Sequence, residues 1–230
     1  MERDDHYRRA VVAQRAGAHE KATKEFLIVL SDTRGPGWSG FRHLLMGQIG
    51  ELIASHPPAR DSFARVRDGL DLREAEALRD WLHLNEALGE DGRSVAWFDA
   101  LPRPLPPEVP RELENPLTQA LERRGRWADI AGLHPSPEAE LEDWWHRRMA
   151  ESFEKIRARL EKVNKRELSA DAQERVLESV RQAVRDEAAI LVRACEAAGR
   201  TSEAARLWTR ALQLDPTDEM RRALGPARWS

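Results

Sequence analysis

"GRTSEAARLWTRALQLDP", Gly199 to Pro216, places small, aromatic and apolar residues at fixed intervals before a helix-ending proline. From Gly199 the marked positions are Ala204, Trp208 and Ala211, at steps of 5, 4 and 3. Residues three and four apart share one face of an α-helix, so the last two steps describe a single buried stripe. The same steps recur from Gly17 (Ala22, Phe26, Val29) and from Gly89 (Ser94, Phe98, Leu101). A looser set runs from Pro57 through Ser62, Val66 and Gly69, and another starts at Gly125, reaches Ile130 and breaks at His134. A small residue lets two helices approach closely, an aromatic one turn later covers the same face, and the next small or apolar residue meets the following pair.

Nearly all of the surrounding sequence reads as helix. Alternating runs of β-branched and aromatic residues are missing apart from "FLIVL", Phe26–Leu30, which follows helix-spaced residues and reads as the buried end of a helix. Helices are expected over about 3–16, 19–31, 39–55, 59–69, 72–88, 93–100, 112–124, 126–133, 137–165, 170–198, 202–214 and 217–224. Ser136 with Pro137, and Ser169 with Asp171, have the chemistry of helix starts. Gly17, Gly89, Gly125 and Gly199 punctuate helix pairs, where a left-handed or tight backbone is wanted.

With its preceding helix the opening stretch becomes "LVRACEAAGRTSEAARLWTRALQLDP", which resembles a tetratricopeptide repeat, a helix–turn–helix unit of about 34 residues. Leu191, Gly199, Ala204, Trp208, Ala211 and Pro216 fall on the signature positions of that family; Ala188, Val192 and Cys195 depart from it. The resemblance implies an all-α fold of antiparallel helix pairs stacked as an α-solenoid, with inner helices lining a groove for an extended or helical peptide. Carried over by position, the groove-facing residues would be Tyr7, Val11, Gln14 and Arg15 in the first unit, and Arg193, Glu196 and Ala197 in the last. The Lys/Asn/Arg set with which some members clamp a terminal carboxylate is not visible.

The five starts lie 40, 32, 36 and 74 residues apart, and the last gap holds two long helices, 137–165 and 170–198. Met149, Phe153, Ile156, Leu160 and Val163 on one, and Leu177, Val180, Val184, Glu187 and Leu191 on the other, step by 4 and 3. That is a coiled-coil seam, and the short link predicts a long antiparallel hairpin across 137–198. The first arm is basic over 147–166, with Arg147, Arg148, Lys155, Arg157, Arg159, Lys162, Lys165 and Arg166, while the second carries compensating acids. Trp144 and Trp145 point about 100° apart, so one is a candidate partner anchor unless the helix packs on both sides.

"LPRPLPPEVPRELENP", 101–116, contains six prolines and reads either as a stiff connector between an N-terminal repeat region, 1–100, and a C-terminal region, 117–230, or as a long ordered loop inside a single domain. Apolar residues form 41% of the chain, which supports a real core, and the net charge of −3 gives no overall pull toward nucleic acid or membrane. The single cysteine excludes an internal disulfide framework and suits a reducing cytoplasmic setting. No secretory leader and no membrane span are expected. The 32 arginines against 5 lysines suggest a GC-rich bacterial source. No histidine or cysteine pattern has metal-ligand spacing, and no Gly-rich loop has phosphate-binding context, so no catalytic, cofactor or metal site is expected. The function these features favour is a protein-binding adaptor or scaffold, taking a protein partner or a second copy of itself. The alternatives are a nucleic-acid-associated regulator using the basic arm and an enzyme on a helical scaffold.

Overall fold

The computed structural model describes residues 2–31, 39–102, 114–147, 149, 154, 157, 158, 161 and 169–227. The elements are α1 (Glu2–Arg15), α2 (His19–Ser31), α3 (Ser39–Ser55), a 3₁₀ turn (Pro57–Ala59), α4 (Arg60–Asp68), α5 (Ala75–Ala87), α6 (Asp91–Asp99), α7 (Glu114–Arg123), α8 (Trp127–Leu133), α9 (Pro137–Arg147), α10 (Ala170–Ala197), α11 (Thr201–Leu214) and α12 (Asp218–Leu224). No strand occurs among the described residues, and no helix there is long and apolar enough to cross a membrane. Most of the seam and of the basic stretch of the expected hairpin's first arm, and most of the proline-rich segment, lie outside the described residues.

The chain divides into two compact units, Met1–Arg124 and Gly125–Ser230. This division gives α7 to the first unit, whereas the sequence reading assigned 117–124 to the C-terminal region. Arg123 is the physical reason: its Nε and Nη2 donate to Asp91 Oδ2 and Oδ1 at 2.7 and 2.8 Å, and its Nη1 donates to Glu86 Oε1 at 3.2 Å.

In the first unit α1 packs on α2 and α3, α3 on α5, and α5 on α7, while α2 meets α3, α4 meets α5, and α6 meets α7. The core joins Ala10 and Ala13 of α1, Ala22, Phe26 and Val29 of α2, Leu45, Ile49 and Leu52 of α3, Phe63 of α4, and Leu84 and Leu88 at α5. Phe26 is fully buried, worth about 1.5–3 kcal/mol of apolar transfer. The α1–α2 turn is a Schellman motif: Gly17 sits at φ 74°, its N–H donates to Gln14 O at 3.0 Å, and Ala18 N–H donates to Ala13 O at 2.8 Å. Gly89 repeats it at φ 66°, with bonds to Glu86 O and Asn85 O at 2.9 and 2.7 Å.

The unit starting at Pro57 is different. The 3₁₀ turn shifts the register by one residue, so Phe63 and Arg67 are buried where Ser62 and Val66 were expected. Arg67 is 2% exposed and donates to Asp68 Oδ1 (3.0 Å), Asn85 Oδ1 (3.2 Å) and Glu90.

In the second unit α10 packs on α8, α9, α11 and α12. Gly199, at φ 73°, repeats the Schellman turn, with Arg200 N–H donating to Cys195 O at 2.8 Å. Ala204, Leu207 and Ala211 of α11 close on Val184, Ala188, Leu191 and Val192 of α10. The buried row of α10 passes through Ala188; Glu187 is half-buried, so the row follows the 3.6-residue period of a packed globular helix. Arg185, 2% exposed, donates from Nε to Asp215 Oδ2 at 2.7 Å and from Nη1 to Glu178, tying α10 to the α11–α12 connection. Ser169 caps α10, its hydroxyl accepting from Ala172 N–H at 3.3 Å. Arg200 reaches back to the end of α8, donating to Ala131 O at 2.8 Å and His134 O at 3.4 Å. His134 is itself buried, bonded to Glu140 at 2.6 Å and edge-on to Trp144, so the position after Ile130 is occupied even though α8 stops at Leu133.

Candidate functional site

Helix α3 carries two glycines, Gly47 and Gly50, inside an otherwise apolar run. Each costs a helix about 1 kcal/mol relative to alanine, so a pair within one turn calls for a packing or surface reason. Gly50 meets α5: a Cβ built there would lie 3.9 Å from Ala87 Cα, so the two backbones run close. Gly47 faces open space, with nothing within 4 Å of a Cβ at that position. Together with Met46, Glu86 and Ala87 they line a cleft of about 220 Å³ between α3 and α5. Leu44, 50% exposed, and Glu51, also exposed, share the Gly47 face of α3 at i−3 and i+4.

The rim is acidic and tied down on one side. Glu86 is bonded to Arg123 Nη1 and lies 3.6 Å from His83 Nδ1. Burial raises the Glu86 pKa, but His83 and Arg123 outweigh it and hold the carboxyl below its ordinary range. Arg42 of α3 and Asp80 of α5 form a buried ion pair, 2.5 Å apart and 1% and 7% exposed, which fixes the two helices along their shared length. Burial, only partly offset by Asp80 and Glu76, draws the Arg42 pKa below its ordinary value.

The residues expected to bind a partner are spread over both units. Tyr7 is half-buried, its ring 6.2 Å from that of Phe26, and Val11 packs on the same core. Gln14 donates to Gln48 O of α3 at 3.4 Å, and Arg15 is exposed at the end of α1. Trp144 and Trp145 are both half-buried against the core of the second unit. Arg193 lies 3.9 Å over the Trp127 ring, and Glu196 is half-buried on α10. None of Gly47, Gly50, Glu86 and Ala87 was among the expected binding residues; the paired glycines in one helix were the available signal.

The second unit has a more open groove of about 300 Å³ between α9 and α11, lined by Glu138, Ala205, Arg206, Thr209, Arg210 and Gln213. Arg206–Glu138 and Arg210–Glu142 bonds of 2.7 and 2.6 Å cross it, making it a surface ladder of ion pairs. Cys195 is buried and its thiol is pushed up by burial, opposite to what a nucleophile needs. No cluster of three or more metal-ligating side chains occurs among the described residues. The α3–α5 cleft, with a floor of backbone and small side chains and an apolar flank, is suited to seating a side chain of another molecule. Comparison with protein families, curated proteins and solved structures finds no match to this chain.

Proposed function

We propose that the chain is a protein-binding adaptor built from tetratricopeptide-like helix pairs, and that it receives a segment of its partner in the α3–α5 cleft. The observation that carries this reading is the position of the cleft. It lies between two successive first helices of the pairs, the helices that line the groove in the resembled family. The neighbour order in the first unit supports the solenoid reading: α1, α3, α5 and α7 touch in succession, and α2, α4 and α6 each meet the next first helix. The repeated Schellman turns at Gly17, Gly89 and Gly199 support it independently.

A photo-reactive amino acid at Leu44 tests the proposal in the native host. It should form a specific covalent adduct with another protein, or with a second copy of this chain. The same probe at Ile28, 43% exposed on the second helix α2, should form none. Equal labelling from both positions, or none from Leu44, would remove the cleft as the binding site.

A further inference from the structure

We infer that the α3–α5 cleft selects a protein segment carrying one bulky apolar side chain next to a lysine or arginine. This rests on the adaptor reading above and adds the chemistry of the ligand. The volume of about 220 Å³ lies below the roughly 300–1,000 Å³ of small-molecule sites and is on the scale of one large side chain. Its walls offer Met46 and Ala87 as apolar contacts, while Gly47 and Gly50 leave the backbone bare for close approach. Half-exposed Leu44 extends the apolar surface beyond the cleft.

The charges at the rim set the second requirement. Glu86 of α5 lines the cleft, and exposed Glu51 lies one helical turn on from Gly47 on α3. Glu86 is committed to Arg123 and His83. Glu51 accepts a 3.0 Å hydrogen bond from the uncharged Gln48 amide, and no ion pair to it forms among the described residues. An incoming ammonium or guanidinium gains a partner at Glu51, and an incoming carboxylate meets repulsion there. Four residues of helix separate Gly47 from Glu51, about 6 Å. An extended segment covers that distance in about two residues, so anchor and base sit at nearly adjacent positions on one side of it.

The test pans a displayed library of random 12-residue peptides against the full chain, followed by fluorescence anisotropy with the enriched peptides. The expected consensus is Trp, Phe, Leu or Met with Lys or Arg two or three residues away. Gly47→Leu, which projects into open space and leaves the helix intact, should weaken binding about tenfold or more. Glu51→Lys should weaken it about tenfold, and a second panning against that variant should enrich acidic peptides instead. Enriched peptides without a base, or affinity unchanged in Glu51→Lys, overturn the inference and leave the adaptor reading standing. No enriched peptide together with a specific adduct at Leu44 also overturns it alone; no peptide and no adduct overturn both.

Discussion

The turn at Gly199 and the turn at Pro57 do the same job by different means. At Gly199 one left-handed residue closes a Schellman motif, and the second helix begins two residues later. At Pro57 two prolines cannot donate backbone hydrogen bonds, so the chain takes a 3₁₀ step before α4 starts at Arg60. The consequence reaches the core. Counting five residues on from Gly17, Gly89 and Gly199 gives Ala22, Ser94 and Ala204, exposed by 0%, 1% and 0%. The same count from Pro57 gives half-buried Ser62, while Phe63 and Arg67 take the inward positions. A spacing rule in a helical repeat is therefore a rule about turn geometry, and it slips when the turn is built differently.

The sharpest way to break this comparison is to remove the residue that the shifted register buries. Arg67→Ala should destabilise the first unit by about 1.5–3 kcal/mol, because Asn85 and Glu90 lose a buried charged donor while Arg60 still serves Glu90. Urea unfolding followed by circular dichroism would measure it. A loss under about 1 kcal/mol would mean that Arg67 is a bystander and that Phe63 alone holds the shifted pair.

Next in size is the turn itself. Gly199→Ala forces an L-residue to φ 73° and should cost about 1–2 kcal/mol, although a Cβ there touches nothing within 4 Å. Gly69→Ala, at φ −90°, should change stability by less than about 0.5 kcal/mol. Equal costs at both sites in thermal melts would sink the idea that left-handed geometry, rather than space, selects glycine at the repeat turns.

The smallest effect is a pH dependence. Burial raises the Glu90 pKa, but hydrogen bonds from Arg67 and Arg60 outweigh it and leave the carboxyl below its ordinary 4.5. A depressed folded value means that the protein gains stability above the ordinary pKa and loses it as pH falls through the lower one. Glu90→Gln should therefore flatten the decline in melting temperature between neutral pH and about pH 3. Parallel curves for the two proteins would show that Glu90 does not carry the linkage.

Most of the helical layout was legible from spacing and caps. Helices α2 and α3 begin and end where the pattern placed them, and Gly17, Gly89, Gly125 and Gly199 all have positive φ. Chemistry local to a few residues explains that success, since a glycine after an amphipathic stripe specifies its own turn. The buried ion pairs were not legible. Arg42–Asp80 spans two helices far apart in sequence, and in a chain so rich in arginine no single one announces a buried partner. The cleft escaped for a related reason. Gly47 and Gly50 matter through what α5 brings opposite them, and Ala87 acquires that role only once the pairs are stacked.

The bonds from Arg200 to the end of α8 have a consequence for how the protein is made. Ala131 accepts its hydrogen bond from a side chain 69 residues later. On a ribosome adding about 5–20 residues per second, the end of α8 waits roughly 3–14 s for that donor to be synthesised. Until then its last carbonyls are served by water, and the α8 end stays open. Vectorial synthesis thus makes Arg200 the residue that closes the end of α8, so ribosome-bound chains halted before and after it should differ in protease resistance around α8.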